Sequence, residues 1–186
     1  MFKLARFVNL AMMEVFKADV RGHDVQTAKV RGRENLAVRI PTRAELNGYF
    51  LGAGCAGGYD PTTHWCGIYA THFLRLADVR CHWERGNGII DDSGGEDLEI
   101  VYGPDAQKGL KFGDVLVREP EHHHIIVFGE VEAGPIRCIE GNAGGIKHPL
   151  IAMDYPPNQA NNSVGRVVSR YRIRQTLSFA GIRPRN

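Results

Sequence analysis

Asp60-Pro61-Thr62-Thr63-His64-Trp65-Cys66-Gly67-Ile68-Tyr69-Ala70-Thr71-His72-Phe73-Leu74-Arg75-Leu76-Ala77 is the stretch on which the reading of this chain turns. Pro61 and the hydroxyls of Thr62 and Thr63 form a helix start signal, because a side-chain oxygen there accepts an orphan backbone N–H. From Cys66 onward, Tyr69, Ala70, Phe73, Leu74 and Ala77 recur at the offsets of one helical face. The spacing therefore predicts a helix with a cysteine in its first turn. The partial positive charge of a helix N-terminus favours thiolate over thiol, which is what a nucleophilic cysteine needs. The competing reading is plain: a buried cysteine is often only a small hydrophobe. Residues further along separate the two.

The chain has 186 residues, 43% hydrophobic and 24% charged, enough for one domain with a real core. A formal net charge of +2 gives no reason to expect nucleic acid. Its distribution is uneven. Arg166, Arg170, Arg172, Arg174, Arg183 and Arg185 follow Ser163 with no acid among them, and Asp91, Asp92, Glu96, Asp97 and Glu99 form the acidic counterpart. Such basic strands suit an anionic polymer, although a solvated face is the commoner use. Cys55, Cys66, Cys81 and Cys138 contain no CxxC pair, so a reduced compartment or at most one bridge is expected. Neither a zinc set built on Cys55, His64, Cys66, Cys81 and His82 nor a calcium loop at Asp91–Asp97 has the required spacing. No metal and no cofactor are expected.

Leu4, Phe7, Val8, Ala11, Met12 and Val15 share one face of a helix over residues 2–17. Asn9 and Glu14 interrupt it as a signal-peptide core, and no run approaches the ~20 apolar residues of a membrane span. Residues 18–43 read as a polar, basic connector with one apolar patch at Leu36-Ala37-Val38. Residues 1–43 are thus expected to pack as a helix and connector on a catalytic domain of residues 44–186. Gly86 to Gly95 reads as a loop. Beyond it come five predicted strands: Leu98–Tyr102, Gly113–Val117, His123–Val131, Ile136–Gly141 and Val164–Ile173. Helices first and then antiparallel strands is an α+β order.

Glu121-His122-His123-His124-Ile125-Ile126-Val127 places three imidazoles in a row at the start of an apolar strand. Alternate residues of a strand face opposite ways, so the three do not converge on one ion. His123 shares a face with Ile125 and Val127, His122 and His124 share the other with Ile126. A base held on a rigid strand is what a Cys–His pair requires. On the next strand Cys138, Glu140 and Asn142 share a face, and either Glu140 or Asn142 suits the second imidazole N–H.

The order of these pieces resembles the CHAP amidase/peptidase family, within the papain-like enzymes that include NlpC/P60. The matching residues are Trp65-Cys66-Gly67, Gly113-Asp114-Val115, His123 with its apolar tail, and Glu140-Gly141-Asn142. The resemblance implies a papain-like fold, with N-terminal helices and a nucleophile at a helix N-terminus packed on a five-stranded, mainly antiparallel sheet. It implies Cys66 as nucleophile, His123 as base with His124 as the alternative, and Glu140 or Asn142 as the orienting group. Trp65 and His124 are then expected beside the substrate, and the Cys66 backbone N–H in an oxyanion hole.

The activity so implied is cysteine-dependent cleavage of amide bonds in bacterial peptidoglycan, by an amidase or endopeptidase. With no signal peptide read, the chain is expected to be made in the cytoplasm and to act at the wall or periplasm after release or export. A phage lysin and a secreted antibacterial effector both fit, the latter with a cognate immunity protein as partner. Two other classes share the features: a papain-like protease, deamidase or acyltransferase acting on a protein, and a catalytically silent binding protein.

Overall fold

The computed structural model describes residues 2–17, 35–120, 122–129, 136–142, 150–155 and 166–174. Helix α1 (Phe2–Phe16) forms where the apolar offsets predict it, and Phe7, Val8, Ala11 and Val15 are wholly buried on its inner face. Strand β1 (Asn35–Arg39) comes second, then α2 (Arg43–Gly52) and α3 (Cys66–Leu76). Helix α2 is opened by a reciprocal capping box. Glu45 N–H donates to Thr42 Oγ1 at 3.3 Å, and Thr42 N–H donates to Glu45 Oε2 at 2.8 Å. A hairpin of β2 (Cys81–Glu84) and β3 (Gly88–Asp91) comes next, then β4 (Leu98–Tyr102) and a 3₁₀ turn (Gly103–Gln107). Strands β5 (Val115–Arg118), β6 (His123–Val127), β7 (Ile136–Glu140), β8 (Leu150–Tyr155) and β9 (Val167–Ile173) complete the order.

The architecture is α+β, with every described strand pair antiparallel. Among the described residues the main sheet holds seven strands in the order β1-β8-β7-β6-β5-β9-β4, not the five that were expected. The two extra strands have separate causes. The Leu36-Ala37-Val38 patch is no connector but an edge strand paired with β8, while β8 itself is an apolar run that the glycine- and proline-rich flanks disguise. Gly86 to Gly95 is likewise not all loop, since Gly88–Asp91 pairs back on Cys81–Glu84. Gly134-Pro135 between the third and fourth predicted strands, residues 18–34, Glu130, Val131, Val164, Arg183 and Arg185 lie outside the described residues.

The sheet is apolar on both faces. Val115, Val117, Ile126, Ile139, Leu150 and Ala152 pack under the three described helices. Leu116, Ile125, Val127, Cys138, Ile151 and Met153 form a second cluster on the reverse face, joined by Ala106 of the 3₁₀ turn. Helix α1 and β1 belong to this same core and sheet, so residues 2–16 and 35–39 pack as one body with α2, α3 and the strands of the main sheet. All four cysteines are free thiols.

Two arginines of the basic last strand are engaged within the fold. Arg172 Nε and Nη2 each donate to the wholly buried Asp114 at 2.7 Å, and Arg170 Nη1 donates to the Lys108 carbonyl. Asp114 also accepts the Lys111 N–H at 2.8 Å, so the Gly113-Asp114-Val115 motif is a clamp between β5 and β9. Gly113 (φ +83°) is tied to the N-terminal helix, because a Cβ there would sit 2.0 Å from Leu4.

Candidate active site

Cys66 is the first residue of α3, as its sequence neighbourhood predicts, but the expected caps act elsewhere. The Thr62 and Thr63 hydroxyls both donate to the Asp60 carboxylate at 2.8 Å, closing a tight turn. Among the described residues no side chain caps the first turn of α3, so its backbone N–H groups are left to whatever lies at Cys66.

The thiol meets His124 near the start of β6. Cys66 Sγ lies 3.7 Å from His124 Nδ1. His124 is on the helix-facing side with Ile126, as strand alternation requires. His123 also bears on the thiol: burial pushes the Cys66 ionisation up, and hydrogen bonding and charge from His123 and His124 reverse this, holding it well below an ordinary thiol. His123 in turn donates from Nε2 to Glu140 Oε2 at 2.9 Å. Burial alone would lower the basicity of His123, but the Cys66 and Glu140 contacts raise it to about 9. Cys66, His123, His124 and Glu140 are all buried. Cys66 thus touches His124, and His123 is joined to Glu140.

Of the expected site residues, the structure brings together Cys66, His123, His124 and Glu140. Asn142 stands apart. It sits just beyond β7 at φ +54° and lines a small cleft of about 140 Å³ with Pro61, Thr62 and His64. Trp65 borders that same cleft but is 3% exposed, with its ring in the aromatic core against Tyr49 and Tyr69. A Cβ on Gly141 would lie 2.8 Å from that ring, which accounts for the glycine beside Glu140.

A second cleft of about 500 Å³ opens over Cys66 and His124, with Trp83, Tyr102, Tyr171 and Gly88 among its walls. Trp83 comes from the β2–β3 hairpin and meets the His124 ring edge-on, centroids 5.3 Å apart. Gly67 makes this possible, because a Cβ there would come within 2.1 Å of Trp83 and 2.9 Å of His124. These walls were not read from the sequence. The available signal was His82-Trp83-Glu84-Arg85-Gly86-Asn87-Gly88, a hairpin pattern with glycines at the turn. His82 itself turns away, to Asp92 at 2.8 Å. Among the described residues no group of three or more His, Cys, Asp or Glu converges as metal ligands would.

Among the described residues no helix is long and apolar enough to cross a membrane. Comparison with protein-family models, curated proteins and solved structures gives no match to this chain.

Proposed function

We propose that this protein is a cysteine-dependent amide hydrolase of papain-like layout that cleaves bacterial peptidoglycan, as an amidase or endopeptidase. The observation that carries the reading is the junction of Cys66 at the start of α3 with His123 and His124 on β6 and Glu140 on β7. The sequence resemblance to CHAP enzymes supplies the substrate class.

In this reading the Cys66 thiolate attacks the amide carbonyl, and the developing oxyanion is met by backbone N–H groups of the first turn of α3. His123, protonated and held by Glu140, gives its proton to the leaving amine, which leaves a thioester on Cys66. The neutral imidazole then takes a proton from water, whose oxygen attacks the thioester and releases the acid and the Cys66 thiolate beside the regenerated imidazolium. His124 packs against Trp83 at the mouth of the larger cleft and serves substrate positioning there. A chain of this activity works at the wall, as a lysin or an exported effector, and an immunity protein is the partner an effector would need.

Digestion of purified peptidoglycan with wild type and Cys66→Ala, read by liquid chromatography and mass spectrometry, tests the assignment. Fragments from wild type alone are expected, and their masses name the bond. Fragments from neither protein, with Cys66 still reactive, would move the substrate to a protein amide. Equal digestion by both would remove Cys66 from the mechanism.

A further inference from the structure

The residue paired with His123 across the β5–β6 ladder is Arg118. Its Nη2 lies 3.8 Å from Glu140 Oε2, the same oxygen that accepts the His123 Nε2–H. Three adjacent strands thus contribute one charged group each, Arg118 from β5, His123 from β6 and Glu140 from β7. All three are buried, Glu140 almost completely. Arg118 is not part of the wall of the cleft over Cys66, so it acts through Glu140 rather than on a substrate.

A carboxyl buried this deeply favours its neutral acid unless a cation stands beside it. A neutral Glu140 would no longer hold an imidazolium. An arginine supplies a charge that no accessible pH removes. We propose that Arg118 is a positioning residue whose guanidinium keeps Glu140 ionised and aimed at His123, and so sets the pH range in which Cys66 is a thiolate. Among the described residues the other ionisable groups of this neighbourhood are His124 on β6, Cys138 on β7, Asp154 and Tyr155 on β8 and Cys66 on α3. From β9 the residue paired with Arg118 is Val167, which does not titrate.

Loss of the guanidinium raises the ionisation midpoint of Cys66 through Glu140. When the buried Glu140 takes up a proton, His123 loses the partner that keeps it an imidazolium, and the thiolate loses that cation.

This inference deepens the nucleophile reading of Cys66 and rests on it, so its test reads ionisation rather than hydrolysis. The full chain is alkylated with iodoacetamide across a pH series, and modification at Cys66 is followed by mass spectrometry in wild type, Arg118→Met, Arg118→Gln and Arg118→Lys. Folding of each variant is checked by thermal melting. The midpoint of the Cys66 profile is expected to rise by about one pH unit in Arg118→Met and Arg118→Gln, the size of one charge lost several ångströms away in a partly screened interior. Arg118→Lys is expected to restore most of it, which a merely structural role would not do. An unchanged midpoint in either folded neutral variant overturns the role of Arg118 and leaves the nucleophile reading intact. A wild-type Cys66 that titrates like an ordinary thiol overturns both.

Discussion

Replacing His123 with alanine is expected to lower amide hydrolysis by about 10²–10⁴-fold, the usual contribution of a positioned general acid–base. The reason is double. His123 is the group that Glu140 orients, through the 2.9 Å bond from Nε2, and it is a principal source of the lowered Cys66 ionisation. His124→Ala, which leaves His123 and Glu140 in place, is expected to cost less and to raise KM more than it lowers kcat.

The pH profile separates the roles. On the proposed mechanism the thiolate–imidazolium pair exists above the lowered Cys66 ionisation and below the raised His123 ionisation. Activity should therefore fall as pH drops through the former, because the thiol is reprotonated. It should fall again as pH rises through about 9, because His123 loses the proton it must give to the leaving amine. The alkaline limb is expected to vanish in His123→Ala and to persist in His124→Ala. Steady-state kinetics on a soluble stem-peptide amide across this range make the measurement, and the reverse pattern would transfer the base to His124.

The second large effect concerns stability rather than chemistry. Asp114→Ala is expected to destabilise the protein by about 3–5 kcal/mol, the range for breaking a buried ion pair from one side. Asp114 is wholly buried and grips two nitrogens of Arg172 at 2.7 Å, with the Lys111 N–H as a third donor. Its loss leaves the Arg172 guanidinium, 20% exposed, without the carboxylate that joins β5 to β9. The melting temperature is expected to drop by about 10 °C for a domain of this size. In the protein that remains folded the Cys66 alkylation midpoint should not move. A melt unchanged within a degree or two would refute the clamp.

Much of the fold was legible in the residues, for identifiable reasons. Helix α1, strand β4 and the helical start at Cys66 each rest on a local period that packing then obeys: Phe7, Val8, Ala11 and Val15 for α1, and Cys66 leading Tyr69, Ala70, Phe73 and Leu74 for α3. What local patterns did not carry was pairing. The Leu36-Ala37-Val38 patch reads as nothing until β8 lies beside it, and β8 gains its meaning only from β1 and β7. Thr42 and Glu45 have the spacing of a capping box and form one, whereas Thr62 and Thr63 look like caps but are held by Asp60.

The site shows the same division. Cys, His and Glu in order were visible, and the register of β6 against β7, with Ile125 opposite Glu140, explains why His123 on that face reaches the carboxylate while Asn142 lies past the strand end. Trp83 and Arg118 were not visible as site residues. One reaches His124 from a separate hairpin, and the other meets Glu140 only through the order of three strands.

The central claim is that Cys66 is held as a thiolate while the other cysteines are not. Burial raises Cys55, pushes Cys81 up to about 12 and lifts Cys138 well above a free thiol. Exposure and ionisation therefore rank the four differently, since Cys55 is half-buried and Cys66 buried. Competitive labelling of the native protein with limiting iodoacetamide below neutral pH, resolved by mass spectrometry at each cysteine, sets one against the other. Cys66 labelled first, ahead of the more accessible Cys55, is the result this account requires. Cys55 labelled first, with Cys66 no faster than an ordinary thiol, would contradict it.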